Sequence, residues 1–175
     1  MIITLAARAF QLVLSAVVLA LAVVLINGYG PGSGPALIGY GAFCGGAGVV
    51  VAAVGVAAVF FDKLQGVIML ALDSFAAFFL LAGGLAFAIK TKVGDCTNDD
   101  YLNKHISLFT PSTRKLYGDA QGKKWAKKFV EDTENRCRII QADTALIWIM
   151  FGCFLVTVAL SFVNGRATKR GGGMV

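Results

Sequence analysis

The chain has 175 residues and a formal net charge of +6, and 57% of its residues are hydrophobic while only 15% are charged. Its mean hydropathy is +0.74. Soluble domains carry about 25% charged residues, so this composition excludes an ordinary soluble domain and indicates a chain solvated by lipid. The basic residues cluster between apolar runs, which favours anionic lipid headgroups over nucleic acid as partners.

Four apolar stretches are long enough to cross a membrane, because a hydrocarbon core of about 30 Å needs about 20 helical residues. They are predicted at residues 9–27, 36–61, 64–89 and 142–163. Backbone polar groups in lipid must be bonded internally, so the spans are helices. The sequence therefore predicts an all-α, four-helix membrane domain over residues 1–163. We expect the first span to be retained, since it is long for a signal peptide and lacks a small-x-small cleavage site.

The predicted connections are very unequal. Residues 28–35 form a short uncharged turn, and Asp62-Lys63 is nearly the whole second connection, which predicts a tight hairpin of helices two and three. Residues 90–141 form a large polar loop, and residues 164–175 are predicted to be a flexible basic tail.

Asp73 lies well inside the third predicted span. A carboxylate there costs about 2.5–3.5 kcal/mol on insertion scales, so it should face the bundle and find a partner. With these boundaries no Lys or Arg lies within a span, so the acid either stays protonated or bonds a polar side chain. The candidate partners are Gln11, Ser15, Thr157 and Ser161. A proton or ion site, a lipid-headgroup contact and a structural hydrogen bond all remain open.

A second acid, Asp143, lies at the start of the fourth predicted span, near Arg136 and Arg138. A carboxylate in the first turn of a helix is stabilised by the positive end of the helix dipole, so we predict a structural role for it.

Helix two carries small residues at spacings of three and four, which places them on one helical face. They are Gly41, Gly45, Gly48, Ala52 and Gly55. Small residues allow close helix packing in membranes, and helix three offers a matching set in Ala77, Gly84 and Ala88. Packing within the bundle and self-association between chains are both open.

The large loop contains a predicted helix start at Pro111-Ser112-Thr113. Basic and aromatic residues follow it, a mixture typical of a short helix lying at the membrane interface. The expected lipid contacts are Lys123, Lys124, Trp125, Lys127, Lys128 and Phe129. An ordinary solvated helix is the alternative.

Cys96 follows helix three and Cys137 precedes helix four, so both lie at the same membrane face. They are either two free thiols or a disulfide, which would stabilise the loop by roughly 4 kcal/mol and persist outside the cytosol. Cys44 and Cys153 lie inside spans and are expected to be packing residues.

The sequence shows no pattern of catalysis or metal binding. His105 is the only histidine and has no Cys or acidic cluster with metal-ligand spacing. No nucleophile–base pair, phosphate loop or CxxC motif is present, so we predict no enzyme activity and no cofactor.

The charges give conflicting predictions of orientation. Loop two and both terminal segments lie on one side of the membrane and are basic, which favours cytosolic termini. The large loop on the other side holds eleven of the sixteen Lys and Arg residues, which favours the opposite orientation.

Three local features carry a family resemblance. Leu72-Asp73 lies within span three, Asn-Arg-Cys-Arg-Ile-Ile-Gln-Ala occupies 135–142, and Asp-Cys-Thr-Asn-Asp-Asp-Tyr-Leu-Asn occupies 95–103. With the span layout, they make the chain resemble the fungal non-classical-export protein family, within the wider MARVEL-domain group, over residues 6–163.

The resemblance implies cytosolic termini and an external large loop closed by a Cys96–Cys137 bond. It also implies a plasma-membrane protein of eisosome-like microdomains that responds to sphingolipid and organises membrane rather than catalysing a reaction. Sphingolipid or sterol, further copies of the chain and eisosome-type proteins are the implied partners. The basic stretch 115–128 is longer than the family pattern, so no role is carried over to it.

The leading hypothesis is therefore a lipid-associated scaffold. The first rival is a small transporter or channel that uses Asp73, and the second is a redox or lipid-modifying enzyme that depends on Cys44 or Cys153.

Overall fold

The structure is a computed structural model that describes residues 2–29, 34–60, 66–110 and 123–171, with side chains for 4–29, 34–60, 66–110 and 127–163. Within these residues the secondary structure is entirely helical. The helices are α1 (Ile2–Asn27), α2 (Ala36–Phe60), α3 (Val67–Thr91), α4 (Asp99–Lys104), α5 (Ile106–Phe109) and α6 (Lys123–Gly171). The predicted all-α, four-span architecture is confirmed.

Four helices are long and apolar enough to cross a membrane, over Thr4–Asn27, Ala36–Phe60, Val67–Thr91 and Lys127–Val163. Two of these helices are much longer than the sequence predicts. Helix α1 begins at Ile2, so it includes Arg8. Helix α6 begins at Lys123 and continues to Gly171, well beyond the predicted span 142–163.

The extension of α6 has a simple cause in the sequence. Residues 123–151 contain no Gly or Pro to interrupt the helix. The predicted loop 90–141 is therefore helical from Lys123 onward, and the predicted flexible tail is helical as far as Gly171. The predicted helix start at 111–113 lies outside the described residues.

The four spanning helices form a ring in which α1 contacts α2 and α6, and α3 contacts the same two helices. Helices α1 and α3 thus lie across the bundle from each other, as do α2 and α6. Large apolar side chains such as Leu80, Phe87 and Phe154 are fully buried inside. Phe75 and Phe78 are more than 60% exposed on the outside, where lipid solvates them.

The small-residue face of α2 is buried along its length. It packs mainly against α1, since a Cβ added at Gly45 would lie 2.6 Å from the backbone nitrogen of Leu19, and one added at Gly48 would lie 2.5 Å from Ser15 Oγ. In this packing the face is inside the bundle rather than open to a second chain.

The expected match between this face and α3 was wrong. Gly84 on α3 lies against Trp148 of α6 instead, at 3.0 Å from a built Cβ. Helices α1 and α2 share the most extensive interface of the bundle, and α2 and α3 share the least extensive of the four. The hairpin partners are therefore the more loosely packed pair.

We predict that Gly45→Ala lowers the melting temperature of the detergent-solubilised protein. The new Cβ meets the backbone of α1, which cannot rotate away, and overpacking of this kind costs about 1–3 kcal/mol.

Gly46→Ala is the matched control, because no atom lies within 4 Å of a Cβ built there. It should leave the melting temperature unchanged or raise it, since Ala favours a helix over Gly by about 1 kcal/mol. Equal melting temperatures for the two variants would contradict the close α1–α2 packing.

Candidate functional site

A buried ion pair joins two helices across the centre of the bundle. Arg8 of α1 donates from Nη1 to Asp73 Oδ1 and from Nη2 to Asp73 Oδ2, each at 2.6 Å. The Arg8 residue is 4% exposed and Asp73 is 0% exposed. Two parallel hydrogen bonds between a guanidinium and a carboxylate fix direction as well as distance, so the pair sets the position of α1 relative to α3.

The pair extends into a hydrogen-bond network that reaches a third helix. Arg8 Nη1 also donates to Gln11 Oε1 at 3.1 Å, and Gln11 Nε2 donates to Thr157 Oγ1 of α6 at 3.2 Å. Helix α2 also contacts this network, since a Cβ added at Gly55 would lie 2.7 Å from Arg8 Cδ. We call Arg8, Gln11, Asp73 and Thr157 the polar centre, and all four spans meet there.

The sequence prediction found Asp73 but missed its partner. The expected partners included Ser15 and Ser161, yet the hydrogen bonds of the described residues join neither to Asp73, and Ser15 Oγ bonds Gln11 O within its own helix. The prediction that no basic residue lies in a span was wrong because α1 starts at Ile2. Arg8 is therefore roughly 9 Å along the helix at 1.5 Å per residue.

Asp143 occupies a different environment from Asp73. It is 0% exposed, and neither carboxyl oxygen has a hydrogen-bond partner in the described part of the chain. It lies opposite α2, where a Cβ added at Gly41 would be 3.2 Å from Asp143 Oδ2.

Asp143 was predicted to lie in the first turn of its helix, near Arg136 and Arg138. This prediction was wrong, because α6 starts at Lys123 and Asp143 lies deep within it. The two arginines pair instead with acids one turn earlier on α6, Arg136 with Asp132 at 3.7 Å and Arg138 with Glu134 at 4.0 Å.

Residues 92–110 and the α6 residues 127–140 pack together at one end of the bundle, and we call them the cap. Arg136 joins the cap to α1: its guanidinium carbon lies 4.7 Å from the ring centroid of Tyr29, and Nη2 donates to Leu25 O at 3.4 Å. A cation is favourable there because Leu25 belongs to the last turn of α1. The Tyr29 hydroxyl in turn donates to Leu108 O in the cap. Burial raises the pKa of Tyr29, and the nearby Arg136 opposes part of that rise.

A disulfide joins Cys96 to Cys137, with a Cα–Cα distance of 5.8 Å and a sequence separation of 41. In the chain-entropy model a loop of that length is stabilised by about 4 kcal/mol. Gln141 Nε2 adds a hydrogen bond to Gly94 O at 2.7 Å. The disulfide and the Gln141 hydrogen bond hold the start of the cap against α6.

The predicted interfacial residues lie on the first turns of α6. Lys127 and Lys128 are exposed and Phe129 is partly buried, while only the backbone is described for Lys123, Lys124 and Trp125. They belong to one helix continuous with the fourth span, so the expected separate helix was wrong over these residues.

The two free cysteines lie within spans, Cys44 buried on α2 and Cys153 partly buried on α6. The described residues contain no group of three or more His, Cys, Asp or Glu side chains that could hold a metal ion.

A sequence profile of the MARVEL membrane-associating domain matches residues 2–160. The chain belongs to the MARVEL family. No curated protein and no solved structure matches it. The matched range covers the first three spanning helices, the cap and α6 as far as residue 160, so the polar centre and Asp143 both lie inside the MARVEL domain.

We predict that Asp73→Asn destabilises this MARVEL protein strongly, because it leaves Arg8 charged and buried without a counter-ion. Breaking a buried pair from one side costs about 3–5 kcal/mol. Melting of the detergent-solubilised protein measures the loss, and the double variant Arg8→Leu/Asp73→Leu should recover part of it, since both charges are then gone.

Asp143→Asn is the matched control, because it makes the same chemical change in a buried carboxyl group that has no hydrogen-bond partner among the described residues. Its melting temperature should equal or exceed that of the parent protein. A loss as large as that of Asp73→Asn would contradict the different environments of the two acids.

Proposed function

We propose that this MARVEL protein is a non-enzymatic organiser of plasma-membrane microdomains of the eisosome-like, sphingolipid-responsive kind. The observation that carries the proposal is the pairing of Asp73 with Arg8. The carboxylate of Asp73 first suggested transport, but both of its oxygens accept hydrogen bonds from the Arg8 guanidinium. The carboxylate therefore acts to hold the bundle together.

A scaffold needs a bundle of fixed shape and an apolar outer surface. The polar centre supplies the first, because it links α1, α3 and α6 through charged and neutral hydrogen bonds. Exposed Val50, Phe75 and Phe78 contribute to the second. Such a body acts on the membrane through lateral contacts with lipid or with further copies of itself.

We also propose membership of the fungal non-classical-export group. Its support is the stretch 135–142, three residues of which have defined contacts. Arg136 holds Tyr29, Cys137 forms the disulfide, and Gln141 bonds Gly94. The stretch that carried the resemblance is thus the stretch that fastens the cap to the bundle.

We propose that both termini face the cytosol and the cap faces outward. The disulfide supports this orientation, because such bonds persist outside reducing compartments. The eleven Lys and Arg residues within 90–141 favour the opposite orientation under the positive-inside rule, so the proposal rests on the disulfide.

Thiol labelling of intact cells tests the orientation. Cys96 and Cys137 should react with a membrane-impermeant maleimide only after an impermeant reductant has been applied. Cys96→Ser/Cys137→Ser identifies the background from Cys44 and Cys153. Labelling that requires permeabilised cells would place the cap in the cytosol.

Fluorescence microscopy of the tagged protein in a fungal host tests the function. We expect discrete plasma-membrane patches that redistribute when sphingolipid synthesis is inhibited. A tagged plasma-membrane protein of unrelated fold controls for a general change of the membrane. A uniform distribution that the inhibitor does not alter would refute the proposal.

Asp143 favours one second candidate, a proton-coupled transporter. Buried carboxyl groups inside spans frequently mark proton pathways, and this one has no partner among the described residues. The candidate requires a proton flux in liposomes that Asp143→Asn abolishes. Absence of flux from the parent protein removes it.

A further inference from the structure

A groove opens where α2 begins and α3 ends, next to α4 and α5. Its volume is about 790 Å³, within the range of about 300–1,000 Å³ that is usual for small-molecule sites. It lies between the two helices that share the least extensive of the four interfaces in the ring. The groove is separate from the polar centre and from Asp143, neither of which lines it.

The walls of the groove are apolar and continue onto the lipid-facing surface. Leu37 and Tyr40 come from α2, and Ala86 and Ile89 come from α3. Ile89 is 66% exposed, so its side of the groove is open at the outer surface of the bundle. The Tyr40 hydroxyl donates to Phe79 O at 3.2 Å, which leaves mainly its ring to face the groove.

The rim at the cap end is cationic and polar. Lys90 lies in the last turn of α3, Lys104 ends α4, and His105 and Ser107 follow. Both lysines are exposed, and neither forms an ion pair with any described acid. His105 Nδ1 lies 3.1 Å from Tyr101 O, so Nε2 is the ring nitrogen left for a ligand.

We propose that this groove binds one phosphate-bearing membrane lipid. The phosphate lies between Lys90 and Lys104, and an acyl chain follows the α2–α3 wall past Ala86 and Tyr40. Two features select this occupant. The rim carries positive charge without a counter-ion among the described acids, and the apolar wall begins directly below it and runs into the hydrocarbon region. A partner helix would fill the wall but leave the two ammonium groups unpaired.

The inference rests on the proposed lipid-organising function and names a site for it. Ammonium groups and a phosphate form charge-assisted hydrogen bonds. Each hydrogen bond of this type to a charged group accounts for about a tenfold change in affinity or more. The lysines supply most of the binding, and Ser107 and His105 add neutral contacts.

The first experiment titrates the full-length protein in phosphatidylcholine nanodiscs with fluorescent phosphatidic acid, and with diacylglycerol as the probe that lacks phosphate. We expect saturable binding of phosphatidic acid and much weaker binding of diacylglycerol. Lys90→Ala/Lys104→Ala should weaken phosphatidic acid binding at least about tenfold. Lys169→Ala/Arg170→Ala removes the same charge near the end of α6, a helix of which no described residue lines the groove, and should leave binding within about twofold.

The second experiment tests the apolar wall. Ala86→Trp fills the groove and should abolish saturable binding, while Ala71→Trp, at an exposed position near the other end of the same helix, is the matched control and should bind as the parent does. Lys90→Arg/Lys104→Arg keeps the charges and should retain binding, which separates loss of the site from loss of folding.

Three results would overturn the lipid site. They are equal binding of the two probes, equal effects of the groove and control variants, and competition by inorganic phosphate as effective as that by short-chain phosphatidic acid. If the groove variants bind normally yet the tagged protein still forms sphingolipid-sensitive patches, this site fails and the organising function stands. If lipid binding depends on the groove but no patches form, the lipid site stands and the organising function fails.

Discussion

The structure depends on one buried ion pair placed across the bundle. A single charge in the hydrocarbon region is costly, but Arg8 and Asp73 satisfy each other through two parallel hydrogen bonds. Because the pair joins helices that face each other across the ring, it fixes the relative depth of α1 and α3. Gly55 of α2 then becomes necessary, since the arginine side chain passes there. At this position charge pairing and close helix packing are one requirement.

The sequence allowed the spans to be predicted because the lack of water in the bilayer imposes a strong signal on composition. It did not allow the helix ends to be predicted, because hydropathy marks where lipid ends and not where a helix ends. That difference concealed Arg8, which lies in α1 but before the uncharged run. It also misplaced Asp143 at a helix start, although α6 begins at Lys123. Asp73 could be identified from the sequence because a carboxylate within a span is energetically costly. Its partner Arg8 could be identified only from the folded structure.

Contacts between distant elements set the remaining limit. Spacing revealed that Gly41, Gly45 and Gly48 share a face, yet only the packed bundle shows that α1 lies against Gly45 and Gly48 while Phe87 of α3 lies against Gly41. The contact of Arg136 with Tyr29 joins residues more than a hundred positions apart, and no local pattern predicts it. The cysteines were the exception, because their positions just outside two adjacent spans already placed them on one face of the membrane.

The two ends of the bundle differ in a way that bears on how lipid could control it. At the end near the polar centre, charged and neutral hydrogen bonds link three helices. Towards the cap, α2 faces Asp143, whose carboxyl group has no hydrogen-bond partner among the described residues, and α2 and α3 frame a groove along their limited interface. A ligand stabilises the conformation that it binds, and the effect grows with ligand concentration. A lipid that fills the groove adds contacts between α2 and α3, the pair with the least extensive interface in the ring. Lipid composition would then act on the α2–α3 interface, while the Arg8–Asp73 pair holds α1 and α3 together at the other end of the bundle.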